Sequence, residues 1–139
     1  MTGRTARVLS VLLPVALVAA ACGAGTSRTG RTVTFRSSGA FPTSTIVGRH
    51  SASGCTADAR TVVRNARLYY AHSTVAPGPA DLYYYDLRFA YAHFEADACT
   101  SGGLGREMRR RLTARQRTFL LGHVASDLHR ALRAALNGS

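Results

Sequence analysis

The chain has 139 residues, 46% of them hydrophobic and 18% charged, which excludes a disordered tail and leaves room for one core rather than two. Its charge is one-sided: 18 arginines, no lysine and seven acids give a formal net charge of +11. A GC-rich genome accounts for the preference for arginine and alanine. It does not account for the sign, and an excess of this size points to an anionic neighbour.

In chain order, residues 1–21 read as a secretory signal. Arg4 and Arg7 form a basic head without an acid, Val8 to Val18 is apolar, and Ala19-Ala20-Ala21 supplies small residues before a cleavage point. The apolar run to Ala21 covers 14 residues and contains Pro14, short of the ~20 needed to cross a bilayer. Cys22 comes next, followed by Gly-Ala-Gly-Thr-Ser. This arrangement resembles the export signals of bacterial lipoproteins, and the arginine bias suits an actinomycete-like source. In that family a Leu-small-small-Cys box directs a diacylglyceryl group onto the cysteine, which becomes the first residue after cleavage. Here Ala19 stands where leucine is usual, and Leu17 lies two residues early. The resemblance covers the export segment alone. It implies lipidation of Cys22 and a place on the outer face of the cell membrane, with plain secretion as the alternative.

Cleavage before Cys22 leaves 118 residues and lowers the net charge to +9. Residues 22–31 then read as a flexible tether and 32–139 as a single small globular domain. With Cys22 lipidated, Cys55 and Cys99 remain as an even pair in an oxidising compartment, where a disulfide is expected. The closed loop of about 45 residues corresponds to roughly 4 kcal/mol in the chain-entropy model. Neither cysteine belongs to a C-x-x-C, so zinc ranks well below a disulfide.

Arg31 to Arg36 alternates like a short strand, and Ser37 to Gly54 reads as extended or irregular. From Thr56 the period changes. Ala59, Val62, Val63, Ala66, Tyr69 and Tyr70 recur at helical spacing, with Arg60, Arg64 and Arg67 on the opposite stripe. Two prolines around a glycine in 73–80 stop that helix. Residues 81–98 fit both periods: Tyr83, Tyr85, Leu87, Phe89 and Tyr91 alternate, whereas Leu82, Tyr85, Phe89, Ala92 and Ala96 share a helical face, with Asp81 as its cap. Helix is preferred on length, and an antiparallel pairing with the preceding segment carries Cys99 back beside Cys55.

Thr100-Ser-Gly-Gly-Leu-Gly reads as a linker before the basic run Arg109-Arg110-Arg111, and a phosphate cradle there lacks the spacing of known fingerprints. Thr113 and Gln116 form a capping box. They open a helix whose apolar stripe runs from Phe119 through Val124 to Ala135 and stops at Asn137-Gly138. The expected fold is therefore mainly α: a small antiparallel helical domain with a disulfide. The alternative is α+β with a Tyr-rich hairpin and a C-terminal helix.

No motif of nucleophilic, metal-hydrolytic or nucleotide-dependent catalysis appears, and no cofactor is called for. His123 and Asp127, four apart, are a possible ligand or acid–base pair, although a solvated helix pair is the simpler reading. Eight of the eleven Tyr and Phe residues lie between Tyr69 and Phe94, most of them expected in the core. Tyr69, Tyr70 and His72 are nonetheless candidates for a small ligand. The stretch Tyr-Tyr-Ala-His, with Cys-Thr-Ala upstream, resembles helical haemophore-like proteins of actinobacteria, which implies haem as that ligand. The preferred reading is a non-enzymatic module on an anionic surface, with Arg109, Arg110 and Arg111 as contacts. Its partners are the membrane through the lipid anchor, and anionic lipid, a cell-wall polymer or an envelope protein; export disfavours nucleic acid.

Overall fold

The computed structural model describes residues 28–36, 42–73 and 82–138. The signal, Cys22, most of the tether, the Pro-Gly-Pro breaker and the Asp81 cap lie outside them. Among the described residues the protein is mostly helical, with two strands and five helices in the order β1 (Arg28–Phe35), β2 (Ser44–His50), α1 (Ala52–His72), α2 (Leu82–Ala96), α3 (Ser101–Arg111), α4 (Ala114–His123) and α5 (Ser126–Asn137). No helix among the described residues is long and apolar enough to cross a membrane.

The expected helical stripe forms α1. Ser51 caps its start, its hydroxyl accepting the Gly54 N–H at 3.0 Å. Ala59, Val62, Val63, Ala66 and Tyr69 are buried, and Arg60, Arg64 and Arg67 are exposed.

α2 explains why its sequence fitted two periods, because it is sandwiched and needs two apolar faces. Tyr84, Leu87, Ala90 and Phe94 join the main core with α1, α3, α4 and α5. Ala92 and Ala96, with Tyr85 and Phe89 beside them, pack under a second cluster formed by Phe35, Ile46 and Val33 of the hairpin. The alternation that resembled a strand is the overlay of these two stripes.

The sheet is built from the N-terminal segment, not from the tyrosines. β1 and β2 pair antiparallel, with Val33 opposite Ile46 and Phe35 opposite Ser44, and the register slips between Thr29 and Thr32. β1 thus begins inside the stretch read as tether. A Cβ on Gly48 would lie 1.9 Å from the Ala96 carbonyl oxygen, so the hairpin rests its backbone directly on the end of α2.

Two expectations for the C-terminal third are corrected. The glycine-rich linker is the first turns of α3, and its composition serves packing: a Cβ on Gly105 would lie 1.8 Å from the Ala135 carbonyl oxygen, where α3 crosses α5. The single long helix from Thr113 is two. The capping box forms as expected, but the chain breaks at Val124-Ala125. Core tyrosines satisfy the backbone at the break. The Tyr69 hydroxyl donates to the His123 carbonyl at 3.2 Å, and the Ala125 N–H donates to the Tyr84 hydroxyl at 2.8 Å.

Candidate functional site

Burial of one α1 stripe leaves its arginines on the outer face. Spacings of four and three residues set Arg60, Arg64 and Arg67 along one ridge of about 10 Å at 1.5 Å per residue. α3 packs beside α1 and brings Arg111 to the opposite lip, and α4 brings Gln116. Between them runs a groove of about 600 Å³. Its lining is apolar below the charges: Val63 is buried, Tyr70 stands edge-on to the Phe119 ring at 5.1 Å, and Leu68 is 40% exposed.

Among the described residues one acid, Glu107, forms ion pairs with the rim, while Arg64 also borders a second cavity lined by Asp58 and Asp86. Glu107 accepts a hydrogen bond from Arg111 Nε at 2.6 Å, and its other oxygen lies 4.0 Å from Arg60 Nε. Among the described residues neither Arg64 nor Arg67 has a carboxylate within 4.0 Å. The rim is therefore net positive and exposes guanidinium forks suited to carboxylate or phosphate. Cations over an apolar interior suit an amphiphilic anion.

The three arginines of the run Arg109-Arg110-Arg111 are placed differently, since successive helical residues point about 100° apart. Arg111 lines the groove. Arg110 is exposed, and Arg109 is half-buried, its Nη1 donating to the Leu136 carbonyl at 2.7 Å, where it caps the end of α5. Arg109 is thus held within the fold. The sequence places Arg60, Arg64 and Arg67 only on the stripe opposite the apolar one. The usable signal was their lack of any interleaved acid together with neighbouring Leu68 and Tyr70.

The ligand candidates separate. Tyr69 is 1% exposed, packs against Tyr84 and Phe119, and donates its hydroxyl to the α4 end, so it is a core residue and not a presented ligand. Tyr70 lines the arginine groove, and His72 is exposed and stacks on Tyr83 with ring centroids 4.1 Å apart. His123 and Asp127 fall on different helices. The His123 Nδ1 meets the Phe119 carbonyl at 2.7 Å, and Asp127 borders a separate cavity of about 420 Å³ between β1, α2 and α5. That cavity carries both signs of charge, with Arg36 and Arg88 against Glu95 and Asp127. Burial, with the Glu95 carboxylate, pushes the Tyr91 phenol up there.

Cys55 and Cys99 are joined, with Cα atoms 5.4 Å apart. Cys99 follows a Schellman turn in which its N–H donates to the Phe94 carbonyl and the Ala98 N–H to the Glu95 carbonyl. His50, Cys55 and Cys99 lie close enough to suggest a metal, but both sulfurs are committed to each other. His50 Nδ1 instead meets the Asp97 carbonyl at 2.8 Å. Asp97 also binds β2 through its side chain, Oδ1 accepting the Arg49 N–H at 2.7 Å.

Sequence reasoning missed the neighbour of Asp97. Asp58 Oδ2 is buried without a hydrogen-bond partner. Burial first, then hydrogen bonding to the Asp97 carboxyl and repulsion from its charge, push the Asp58 carboxyl up to about 6. With both groups ionised neither can donate, and one shared proton turns the contact into a hydrogen bond. The two residues are 39 positions apart in the chain, and no local pattern announces them. Compared with known proteins, the chain matches no family model, no curated protein and no solved structure.

Proposed function

We propose that the protein is an exported envelope module, lipid-anchored through Cys22, that binds an anionic surface and carries no catalytic activity of its own. The signal and the Ala-Ala-Ala-Cys box support export and anchoring. The observation that carries the binding reading is the α1 ridge: Arg64 and Arg67 stand exposed without a carboxylate within 4.0 Å among the described residues, beside Arg60 and Arg111. Structural arginines in this protein, such as Arg109, are engaged by backbone. Cations without a close carboxylate among the described residues, gathered on one face, are available to a surface.

Every described element lies at or beyond Arg28, so residues 22–139 with Cys22→Ser contain the packed domain without the anchor. That protein should bind vesicles containing anionic lipid, and binding should fall steeply with salt. At ~1 kcal/mol for each basic residue near the membrane, Arg64→Gln/Arg67→Gln should weaken it about 30-fold. Arg130→Gln/Arg133→Gln, an equal charge change on exposed α5 positions, should cost much less. Equal losses from the two pairs, or no salt dependence, would reject the α1 face.

A further inference from the structure

We infer that the groove between α1, α3 and α4 seats one anionic phospholipid, with its phosphate on the arginine rim and the first part of an acyl chain along Leu68, Tyr70 and Ala71. This rests on the anionic-surface reading and narrows it to a partner class.

The lining discriminates among the anionic partners. A wall polymer requires charge and hydrogen bonding along its backbone and gains nothing from an apolar trough. Here the cations surround Leu68, a large aliphatic side chain 40% exposed, and the half-buried Tyr70. Among the described residues the other exposed large apolar side chains, Val47 at 73% and Leu82 at 54%, lie on β2 and at the start of α2, away from the arginine ridge of this groove. Apolar exposure bordered by like charges marks an amphiphile site more than a solvated face. Size points the same way. About 600 Å³ falls within the ~300–1,000 Å³ of small-molecule pockets.

The rim also divides the work. Glu107 engages Arg111 at 2.6 Å and draws Arg60 toward the α3 lip, which orients that side. Arg64 and Arg67, without a carboxylate within 4.0 Å among the described residues, carry the attraction for the phosphate. Gln116 adds a neutral amide at the α4 end. Charge complementarity thus selects an anion, and the trough selects one with a chain.

The test uses residues 22–139 with Cys22→Ser and a short-chain phosphatidylglycerol below its micelle concentration, titrated calorimetrically. Glycerol phosphate, the matching phosphatidylcholine and polyglutamate serve as comparators. The expected result is saturable binding of one lipid per protein, with each comparator about tenfold weaker or more, a difference of at least 1.4 kcal/mol. Leu68→Ser should lose most of the preference for lipid over glycerol phosphate, and Arg64→Gln/Arg67→Gln should lose affinity for both. All these positions are exposed, and unchanged thermal unfolding would verify that each variant folds. Glycerol phosphate or polyglutamate binding as tightly as lipid, or Leu68→Ser leaving the preference intact, overturns the proposal. Salt-dependent vesicle binding without one-to-one lipid binding removes the lipid seat and leaves the surface reading standing. Failure to bind vesicles at all removes both.

Discussion

The outer face of α1 and the junction where the hairpin meets the ends of α1 and α2 treat polar groups in opposite ways. On the α1 face, like charges are exposed, and among the described residues no carboxylate lies within 4.0 Å of Arg64 or Arg67. At the junction, Arg49 N–H, His50 and Asp58 all converge on Asp97 beside the Cys55–Cys99 bond, and Gly48 lets backbone rest on backbone. Exposed groups cost little to leave unpaired, because water solvates them. Buried groups must find partners, and one that does not shifts its proton instead. Changes on the α1 face should therefore move binding without stability, and changes at the junction should do the reverse.

The largest expected effect is at the junction. Cys55→Ser/Cys99→Ser opens a bridge between residues 44 apart in sequence, for which the chain-entropy model gives a loss of about 4 kcal/mol. Urea unfolding measures it. Vesicle binding of the still-folded fraction should stay within twofold, about 0.4 kcal/mol, because neither cysteine lines the arginine groove. A binding loss as large as that of Arg64→Gln/Arg67→Gln would show that the two regions are coupled and break the comparison.

How much of each region could be read in advance follows from the range of its contacts. The α1 stripe, the Thr113–Gln116 box and the antiparallel pair closed by the disulfide are local patterns, or consequences of short connections, and all appear in the structure. Three features were illegible because their cause lies far along the chain. α2 has two apolar faces since both α1 and the hairpin cover it, which blurs its period. Gly102, Gly103 and Gly105 look like a linker until α5 is seen lying against Gly105. The break at Val124 interrupts a continuous apolar stripe, yet Tyr69 and Tyr84 satisfy the freed backbone from α1 and α2. For the site, local charge drew attention to Arg109–Arg111, the densest run. The groove instead draws on α1, whose arginines are spaced along a ridge and gain meaning only when α3 supplies the opposite lip.

Asp58 gives the next test. Its folded value of about 6 lies above the ~3.9 of an unfolded chain, so folding favours the protonated form. The stabilisation from that proton is present in full below about pH 4 and disappears as pH rises through 6. Asp58→Asn supplies a permanent donor toward Asp97. Compared with the parent, it should unfold at a higher temperature at pH 7, differ little at pH 4, and show a flatter stability profile between them. Parallel profiles for the two proteins would mean that Asp58 and Asp97 share no proton. Vesicle binding should not respond, since both acids lie outside the arginine groove.

The smallest expected effect sits two residues from the hairpin contact at Ala96. Ala98 holds a φ of +52°, the left-handed position of the Schellman turn that ends α2. An alanine Cβ there is crowded against the following carbonyl, and glycine is the usual occupant. Ala98→Gly should therefore stabilise the fold, by about 0.5–1 kcal/mol once the greater freedom of glycine in the unfolded chain is subtracted. The same substitution at Ala96, buried and helical under Gly48, should destabilise, since no left-handed strain is relieved and helix propensity falls. Opposite signs at two alanines in one turn would tie the effect to backbone conformation rather than to lost side-chain volume. If Ala98→Gly also left lipid binding untouched, the junction would be tunable upward in stability without cost to the arginine face.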